Sequence, residues 1–293
     1  GYLRYYYPLE FLTAAFNTFT DKEDKIVSIT EYANKIGIKI LPPKFRHSRS
    51  GYQMDKENNS IYKGLESIKF MNEDVSEQLY ALRDQQFNSF VDFLNVFPGN
   101  SRQREILIKL GYFEEFGKTL KLLKICDLYD MYNSKKQLKK DKLNLPLELV
   151  QKYATSETAK QFRFEPEAMN AMLQEVVSLI PDTDIPLRTR LEAEAEYLGY
   201  ISYANPKLQN VGFVVDLNTK YSPKAQIYML DTGSTITVKV TKSLYQKSPF
   251  DSGAILKFYT EERQKSTKNE NGEWVKLPEK ELWIKNYVVK IEL

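Results

Sequence analysis

The chain has 293 residues, enough for two or more domains that each bury a core. Hydrophobic residues make up 42% and charged residues 28% of it, and no run of about 18 apolar residues occurs, so we expect a soluble protein without a membrane span. The single cysteine, Cys126, and the single histidine, His47, argue against a disulfide framework, the usual zinc sites and a histidine-activated nucleophile. We therefore expect no catalytic residue, no metal ligand and a reducing, cytoplasmic location.

The net charge is only +3, but many lysines are concentrated in one stretch. Lys135, Lys136, Lys139 and Lys140 follow one another closely in what we expect to be a turn between two helices. A cluster of positive charge attracts phosphates whatever the base sequence, so this stretch is a candidate DNA contact. Two alternatives stay open: a solvated loop, and a surface that binds an acidic protein partner.

The first part of the chain is typical of helices followed by short strands. Asp21 or Glu23 can cap a helix that ends at Gly37. Residues 38–41 then predict a short strand closed by two prolines. Residues 45–62 indicate a small hairpin with a polar turn.

The stretch from residue 61 to residue 111 has the order helix, tight turn, helix. An amphipathic helix follows Asn72, Ser89 can cap a short second helix, and a third helix begins after Asn100. Such an arrangement presents backbone N–H groups to a phosphate. The candidate DNA contacts in this hairpin region are Lys69, Asn72, Arg102 and Arg104.

Two blocks of the sequence carry distinctive motifs. The first contains Tyr2-Leu3, Tyr7-Pro8 and Glu10-Phe11, followed by Gly-Ile-x-x-Leu-Pro-Pro at residues 37–43. The second contains Gly-Leu-x-x-Ile-Lys at residues 64–69, Phe-x-Ser-x-x-Asp-Phe-Leu at 87–94 and Leu-Ile-Lys-x-Gly at 107–111. These motifs resemble those of bacterial C-family replicative DNA polymerases, in which the first block lies at the end of the fingers and the second in the helix-hairpin-helix region.

The hairpin itself departs from the family pattern. The family has Gly-x-Gly where this chain has Phe70-Met71-Asn72. Without glycines the backbone approaches DNA less closely, so we expect a weaker grip on phosphates. We expect Asn72 to take the left-handed turn conformation in their place.

Further helices are predicted over residues 119–132, 145–153 and 167–179, and a connector helix that resembles the family's over 187–200. Before the connector, the sequence Pro181-Asp182-Thr183-Asp184 looks like the paired carboxylates with which polymerases hold two metal ions. It lies downstream of the fingers motifs, however, and leads into a proline that a strand could not accommodate. We therefore expect a loop that caps the next helix.

From residue 209 onward, strand-like runs alternate with turn signals. The runs cover residues 211–217, 225–230, 235–240, 254–259 and 281–291. Five strands with lysine-rich loops predict an OB-fold, a small barrel that binds nucleic acid on one face, although a barrel with only core aromatics is the alternative. The candidates for stacking on bases and following phosphates are Tyr228, Lys239 and Tyr259 on strands, Lys220, Tyr221 and Lys224 in the first loop, and Lys265, Lys268 and Trp274 in a long loop before the last strand.

The fold class that we predict is α+β. A mainly α-helical N-terminal region with a helix-hairpin-helix is followed by a C-terminal five-stranded OB-fold barrel. The expected domains are 1–63 for the end of the fingers with a small hairpin, 64–185 for the helix-hairpin-helix region with its lysine-rich extension, 186–208 for the connector helix, and 209–293 for the OB-fold.

The resemblance implies a C-terminal piece of a bacterial or phage polymerase that holds primer-template and single-stranded template during DNA replication. The parent is a nucleotidyltransferase that uses Mg²⁺, but its palm aspartates have no match here, so we expect this piece to need no cofactor and to be inactive alone. The implied partners are DNA, the sliding clamp and other replisome subunits, with residues 161–164 a poor candidate for the clamp-binding peptide. A stand-alone single-stranded-DNA-binding protein and a protein-interaction module remain the alternatives.

Overall fold

The computed structural model describes residues 2–290, apart from the side chain of Glu23. The chain divides into two units, Gly1–Ile185 and Pro186–Leu293. The predicted end of the last strand at residue 291, and the ends of the expected domains at residues 1 and 291–293, lie outside the described residues.

The first unit begins with three helices and a small sheet. They are α1 (Tyr2–Tyr6), α2 (Pro8–Thr18), α3 (Glu23–Lys35), β1 (Lys39–Leu41), β2 (Gln53–Asp55) and β3 (Ser60–Tyr62). The predicted hairpin is confirmed, since β2 and β3 pair antiparallel, and β1 joins β3 in parallel. Leu9, Leu12 and Phe16 recur at helical spacing on α2, and they are buried with Ile38 and Ile61.

The sequence predicted one end of α3 correctly and the other incorrectly. Gly37 follows the helix with a φ of 80°, a conformation that glycine adopts without steric cost, so the predicted end is confirmed. At the other end, the cap position belongs to Lys22, which makes no side-chain capping bond. The predicted cap at Asp21 is therefore wrong, and the side chain of Glu23, the other candidate, lies outside the described residues.

Three short helices with side-chain caps form the hairpin region. They are α4 (Glu73–Ala81), α5 (Phe90–Leu94) and α6 (Ser101–Lys109). The side chains of Asn72, Ser89 and Asn100 each accept a hydrogen bond from a backbone N–H three residues later, which confirms the predicted cap at Ser89. Between the helices lies an aromatic core, in which the rings of Phe93 and Phe113 are 5.0 Å apart.

The segment before α4 approaches a neighbouring loop closely at Gly64. The backbone N–H groups of Leu65 and Glu66 donate to the carbonyls of Arg49 and Ser50, at 2.8 and 3.1 Å. A Cβ atom added to Gly64 would lie 2.1 Å from the Ser50 carbonyl oxygen. Because Gly64 has an ordinary φ of −76°, the need for glycine comes from this close approach and not from the backbone conformation.

The rest of the first unit contains three helices and a second small sheet. They are α7 (Thr119–Tyr132), β4 (Gln137–Lys139), α8 (Leu147–Tyr153), β5 (Ser156–Glu157), β6 (Gln161–Arg163) and α9 (Pro166–Ser178). The strands pair in the order β4-β6-β5. The expected lysine-rich turn is therefore wrong in part, because Lys139 lies on a strand. Leu138 and Phe162 hold this sheet to the core, and the burial of Phe162 leaves it unavailable to a clamp.

The acidic loop after α9 caps a helix, but not the one that we predicted. Asp182 accepts a hydrogen bond from the backbone N–H of Lys118 at 2.8 Å, and Asp184 accepts one from that of Thr119 at 3.1 Å. These N–H groups lie at the start of α7, a helix about sixty residues before the loop in the sequence. The prediction of a cap for the next helix is wrong, because the free N–H groups of an earlier helix lie closer.

The second unit begins with the connector helix. It consists of α10 (Leu187–Ala193) and a π-helical turn (Glu194–Leu198), and Gly199 follows with a φ of 78°. Glu194 is buried and accepts hydrogen bonds from the backbone N–H groups of Ser202 and Tyr203, at 2.8 and 3.2 Å. This carboxylate fixes the segment that leads into the barrel.

The barrel has the topology of an OB-fold, as predicted. Its elements are β7 (Val211–Asn218), β8 (Lys224–Met229), β9 (Thr235–Lys239), α11 (Lys242–Lys247), β10 (Ile255–Lys268) and β11 (Trp274–Lys290). The sheet closes in the order β10-β11-β9-β8-β7, with β10 returning to pair with β7. Val214, Ile227, Val238 and Ile284, one from each of four strands, point inward and fill the interior of the barrel.

The last two strands are much longer than predicted. β10 and β11 run to 14 and 17 residues and pair along most of their length. Lys265, Lys268 and Trp274, which we expected in a loop, therefore lie on the strands of a long hairpin that turns near Gly272. The sequence of this hairpin is polar on both faces, so periodicity gives no strand signal there.

The close approach at Gly64 predicts a specific loss of stability. Gly64→Ala should lower the free energy of unfolding by roughly 1–3 kcal/mol, the usual cost of forcing an extra group into a packed site. Urea unfolding followed by circular dichroism measures this change. The exposed neighbour Glu66 supplies the control, since Glu66→Ala should change it by less than about 0.5 kcal/mol. Equal stability of the two variants would contradict the close approach.

Candidate nucleic-acid interface

The turn of the hairpin region exposes an aromatic ring beside two cations. Phe70 has a φ of 70°, and 49% of its surface is exposed. The guanidinium carbon of Arg102 lies 3.6 Å from the centre of that ring, and the Gln103 side chain donates to the Phe70 carbonyl at 3.0 Å. With the exposed Lys69 beside it, Phe70 forms the hairpin cluster, which we define as Lys69, Phe70 and Arg102.

Asn72 does not take the left-handed conformation that we predicted. Its φ is −135°, and its side chain caps α4 by accepting from the Val75 N–H at 2.9 Å. Phe70 takes the positive φ instead, at the first position of the family's Gly-x-Gly. The cap uses only the side-chain oxygen of Asn72. The donor that a phosphate would accept from is its amide N–H₂ group, which takes no part in the cap, so the contact with DNA stays a prediction.

Arg104 is a structural residue and not an exposed DNA contact. Only 8% of its surface is exposed, and its guanidinium forms an ion pair with Asp130 of α7. The pair joins α6 to α7. Arg104 is buried and would carry an uncompensated charge without Asp130, whose own side chain is 51% exposed. This pairing corrects the prediction that Arg104 contacts DNA. Because Arg104 and Asp130 are far apart in the sequence, no local pattern reveals it.

Glu77 fastens the helix that follows the hairpin cluster. Its carboxylate accepts from Arg49 at 2.8 Å, and from the Ser50 N–H and hydroxyl at 3.2 and 2.9 Å. These hydrogen bonds lower the pKa of Glu77 to about 2, and the bond from Arg49 has the largest effect. The loop that touches Gly64 is thereby tied to α4.

The lysine stretch forms one charged surface on the second small sheet. Leu138 and Phe162 point into the core, so Lys139 and Arg163 point outward from the paired strands β4 and β6. Lys140 is not counted in this surface, because its amine is paired with Glu157. We define the basic sheet as Lys135, Lys136, Lys139, Lys160 and Arg163, all exposed.

Lys160 and Arg163 were missed in the sequence analysis. They lie about twenty residues beyond the lysine stretch, and only the pairing of β4 with β6 brings them beside it. No local pattern in the sequence signals this pairing.

On the barrel, strand pairing aligns several polar side chains on the outer face. Lys224 of β8 is opposite Lys239 of β9, and Lys239 is opposite Trp283 of β11. The amine of Lys239 lies 5.6 Å from the centre of the Trp283 ring, and the guanidinium carbon of Arg263, from β10 on the other side, lies 4.8 Å from it. We name Lys224, Lys239, Arg263 and Trp283 the barrel face.

Trp283 and Arg263 were also missed. The alternation of Glu281, Leu282, Trp283 and Ile284 predicts a strand, and it would have placed Glu281 and Trp283 on one face. Which of the two faces looks outward depends on the closure of the barrel. The position of Arg263 depends on the long hairpin, which the sequence does not indicate.

Tyr228 belongs to the core and not to the binding surface. It points out of the barrel, as expected for its strand, but only 7% of it is exposed, because the connector segment covers it. Its hydroxyl donates to the carbonyl of Tyr203 at 3.0 Å. The prediction that Tyr228 stacks on a base is therefore wrong.

The other barrel candidates lie on the surface. Lys220 and Tyr221 are exposed in the turn between β7 and β8, with the Lys220 amine 5.6 Å from the Tyr221 ring. Tyr259 is half exposed on β10. Lys265 and Trp274 are exposed on the long hairpin, and Trp274 is 70% exposed. Their contact with DNA stays a prediction.

The groups that often carry chemistry are occupied in the fold. Cys126 is buried in α7, and this burial raises the pKa of its thiol to about 12. The carboxylates of Asp182 and Asp184 accept backbone hydrogen bonds at the start of α7. Over residues 2–290, no three acidic, histidine or cysteine side chains converge in a way that could hold a metal ion.

Within the same range, each helix is too short or too polar to cross a lipid bilayer.

The two units thus define the class: a helix-hairpin-helix protein with an OB-fold barrel. A family model described as a helix-hairpin-helix motif matches residues 37–123. The chain is similar to the DNA polymerase III alpha subunit, which confirms the resemblance seen in the sequence.

Three of these relatives give the extent of the similarity. The subunit of Campylobacter jejuni is 36% identical over 130 residues, or 42% of this chain and 11% of the relative. That of Thermus aquaticus is 31% identical over 128 residues, or 42% of this chain and 10% of the relative. That of Staphylococcus aureus strain MRSA252 is 30% identical over 173 residues, or 52% and 16%. The matched part is thus a small fraction of each relative's length.

The low pKa of Glu77 predicts a pH-dependent stability. A carboxylate whose pKa is lowered by folding contributes stability above its unfolded pKa of about 4.5, and this contribution is lost as the pH falls toward about 2. Glu77→Gln should therefore lower stability at pH 7 and flatten its dependence on pH between about 4.5 and 2. Urea midpoints measured across this range test the prediction.

Glu66→Gln is the matched control, because Glu66 is an exposed carboxylate in the same region. It should retain the acid dependence of the unsubstituted chain. If the two variants lost the same pH dependence, the Arg49–Glu77 contact would not be its source.

Proposed function

We propose that this chain is a DNA-holding part of a replicative DNA polymerase. The observation that carries the proposal is the combination of a helix-hairpin-helix region similar to that of the DNA polymerase III alpha subunit with an OB-fold barrel in the same chain. Each of the two architectures is one that binds nucleic acids. Contact with the sliding clamp and other replisome subunits, and a cytoplasmic location, are further parts of the proposal.

The two units suit different forms of DNA. The hairpin cluster offers the cations Lys69 and Arg102 to phosphates, and Arg102 covers the ring of Phe70. This arrangement suits the backbone of duplex primer-template. The barrel face combines Trp283 with cations on three neighbouring strands. Stacking on such a ring needs an unpaired base, so the barrel face suits single-stranded template.

A stand-alone single-stranded-DNA-binding protein is the second candidate. The exposed aromatic rings at Tyr221, Tyr259 and Trp274 favour it, since they add to the barrel and not to the hairpin region. The preference of the chain between the two forms of DNA separates the candidates.

The first prediction concerns the hairpin cluster. Lys69→Gln with Arg102→Gln should weaken binding to primer-template more than to single strands. If both residues contact duplex phosphates, the slope of log K against log salt should fall in magnitude by about 1.8, since each phosphate contact contributes about 0.9. Fluorescence anisotropy of labelled primer-template and labelled oligothymidine, titrated across a salt series, measures both quantities.

Lys25→Gln with Lys35→Gln removes the same charge from exposed positions on α3 and serves as the control. It should leave the slope unchanged. Absence of binding by the unsubstituted chain at low salt would refute the proposed function. Binding to single strands alone, unaffected by the hairpin variant, would favour the stand-alone candidate.

A second prediction concerns the basic sheet. Changing Lys135, Lys136 and Lys139 to Glu should weaken binding to both forms of DNA and flatten the salt dependence, because exposed cations attract phosphates whatever the base sequence. Lys140 is left intact, since its amine is already paired with Glu157. The measurement is the same salt series.

The control for the basic sheet carries an equal change in charge on a different surface: Lys22, Lys25 and Lys35 changed to Glu. If DNA binding depends on local contact, only the first variant should lose affinity strongly. Equal losses in both variants would show that the lysines act only through net charge. No loss in either would exclude the basic sheet from the interface.

A further inference from the structure

One residue of opposite charge lies within the barrel face. Glu281 precedes Trp283 by two positions on β11, so their side chains leave the same side of the strand. Its carboxylate accepts a hydrogen bond from the Lys239 amine at 2.6 Å through one oxygen, and one from the Trp283 indole N–H at 2.9 Å through the other. A single carboxylate thus engages both the cation and the ring.

The surroundings of Glu281 hold it in this position. Only 19% of its side chain is exposed, compared with 32% for that of Lys239. On the other side, Arg263 is opposite Glu281 in the strand pairing, but its guanidinium pairs with Glu261 and lies over the Trp283 ring. Lys239 is therefore the cation that Glu281 neutralises directly.

A single-stranded nucleic acid offers the same pair of groups in another form. Its phosphate is an anionic oxygen acceptor for an amine, as the Glu281 carboxylate is, and its base is a flat ring that stacks on tryptophan. In a duplex the bases are already stacked and paired, so no base is free to stack on the ring of Trp283. A strand that binds here must compete with Glu281 for Lys239.

We propose that Glu281 is a built-in competitor for single-stranded DNA: a phosphate displaces the Glu281 carboxylate from Lys239, while the neighbouring base stacks on Trp283. This inference rests on the proposed function and adds a regulating residue to it. The indole N–H remains bonded to Glu281 during the exchange, so the ring keeps its orientation while the amine changes partner. The competitor lowers affinity for phosphate, and thereby keeps the grip on template weak enough for the strand to move.

The test uses Glu281→Gln in the full chain. The amide oxygen of glutamine can still accept from the Trp283 indole, but the neutral side chain no longer holds Lys239 as an ion pair. Binding to oligothymidine should tighten by up to about fivefold, the size expected for one partly exposed charge contact. Its salt slope should steepen by about 0.7, the contribution of one phosphate on a single strand.

Two further variants separate competition from a general change in charge. Glu270→Gln removes a negative charge from the exposed turn of the same hairpin and should leave affinity and slope unchanged. Lys239→Gln should weaken binding, and in the Lys239→Gln background Glu281→Gln should have no effect. All variants carry Trp274→Phe, which leaves Trp283 as the one tryptophan, so that quenching by oligothymidine reports stacking on that ring.

The outcomes distinguish this inference from the proposed function. If the unsubstituted chain does not bind DNA at low salt, the proposed function fails and the inference with it. If the chain binds but Glu281→Gln is no tighter than Glu270→Gln, the competitor is refuted and the proposed function stands. Tighter binding by Glu281→Gln without quenching of Trp283 would also refute it, because the strand would then bind elsewhere.

Discussion

The closure of the barrel, by pairing of β10 with β7, is the constraint on which the candidate interface depends. Gly212 makes it possible, since a Cβ there would lie 2.3 Å from the Ile227 side chain and 3.1 Å from the Phe258 ring. Closure fixes which side of each strand faces the core and which faces solvent. It therefore places Lys239, Trp283 and their neighbours on one outer face, although they are far apart in the sequence.

The positive charge available to DNA is smaller than the number of lysines and arginines suggests. Arg104 is bound to Asp130, Lys140 to Glu157, and Lys239 to Glu281. In each pair the carboxylate offsets the free-energy cost of taking the cation partly out of water, and the three cations differ in how far they are buried. Arg104 is nearly buried and serves the fold. Lys239 remains partly exposed, so its partner is one that a phosphate can replace.

The hairpin cluster shows how a family motif can change while its geometry persists. The family's glycines permit a positive φ, and Phe70 adopts that φ here without being glycine. The cost of the conformation is offset locally, because Arg102 stacks on the ring and Gln103 binds the carbonyl. The exchange replaces two glycines by an exposed ring and a cation that stacks on it, so under the proposed function this region would meet DNA with side chains.

The sequence by itself determined the elements whose signals are local: the end of α3 at Gly37, the cap of α5 at Ser89, and the resemblance to C-family polymerases. It also predicted the OB-fold, because five separate strand patterns agreed. The tertiary structure alone decided what depends on distant partners. The connector covers Tyr228, β6 brings Arg163 beside the lysine stretch, and the caps of α7 come from Asp182 and Asp184. Side-chain periodicity tells which residues share a face, but the exposure of that face depends on the segments that pack against it.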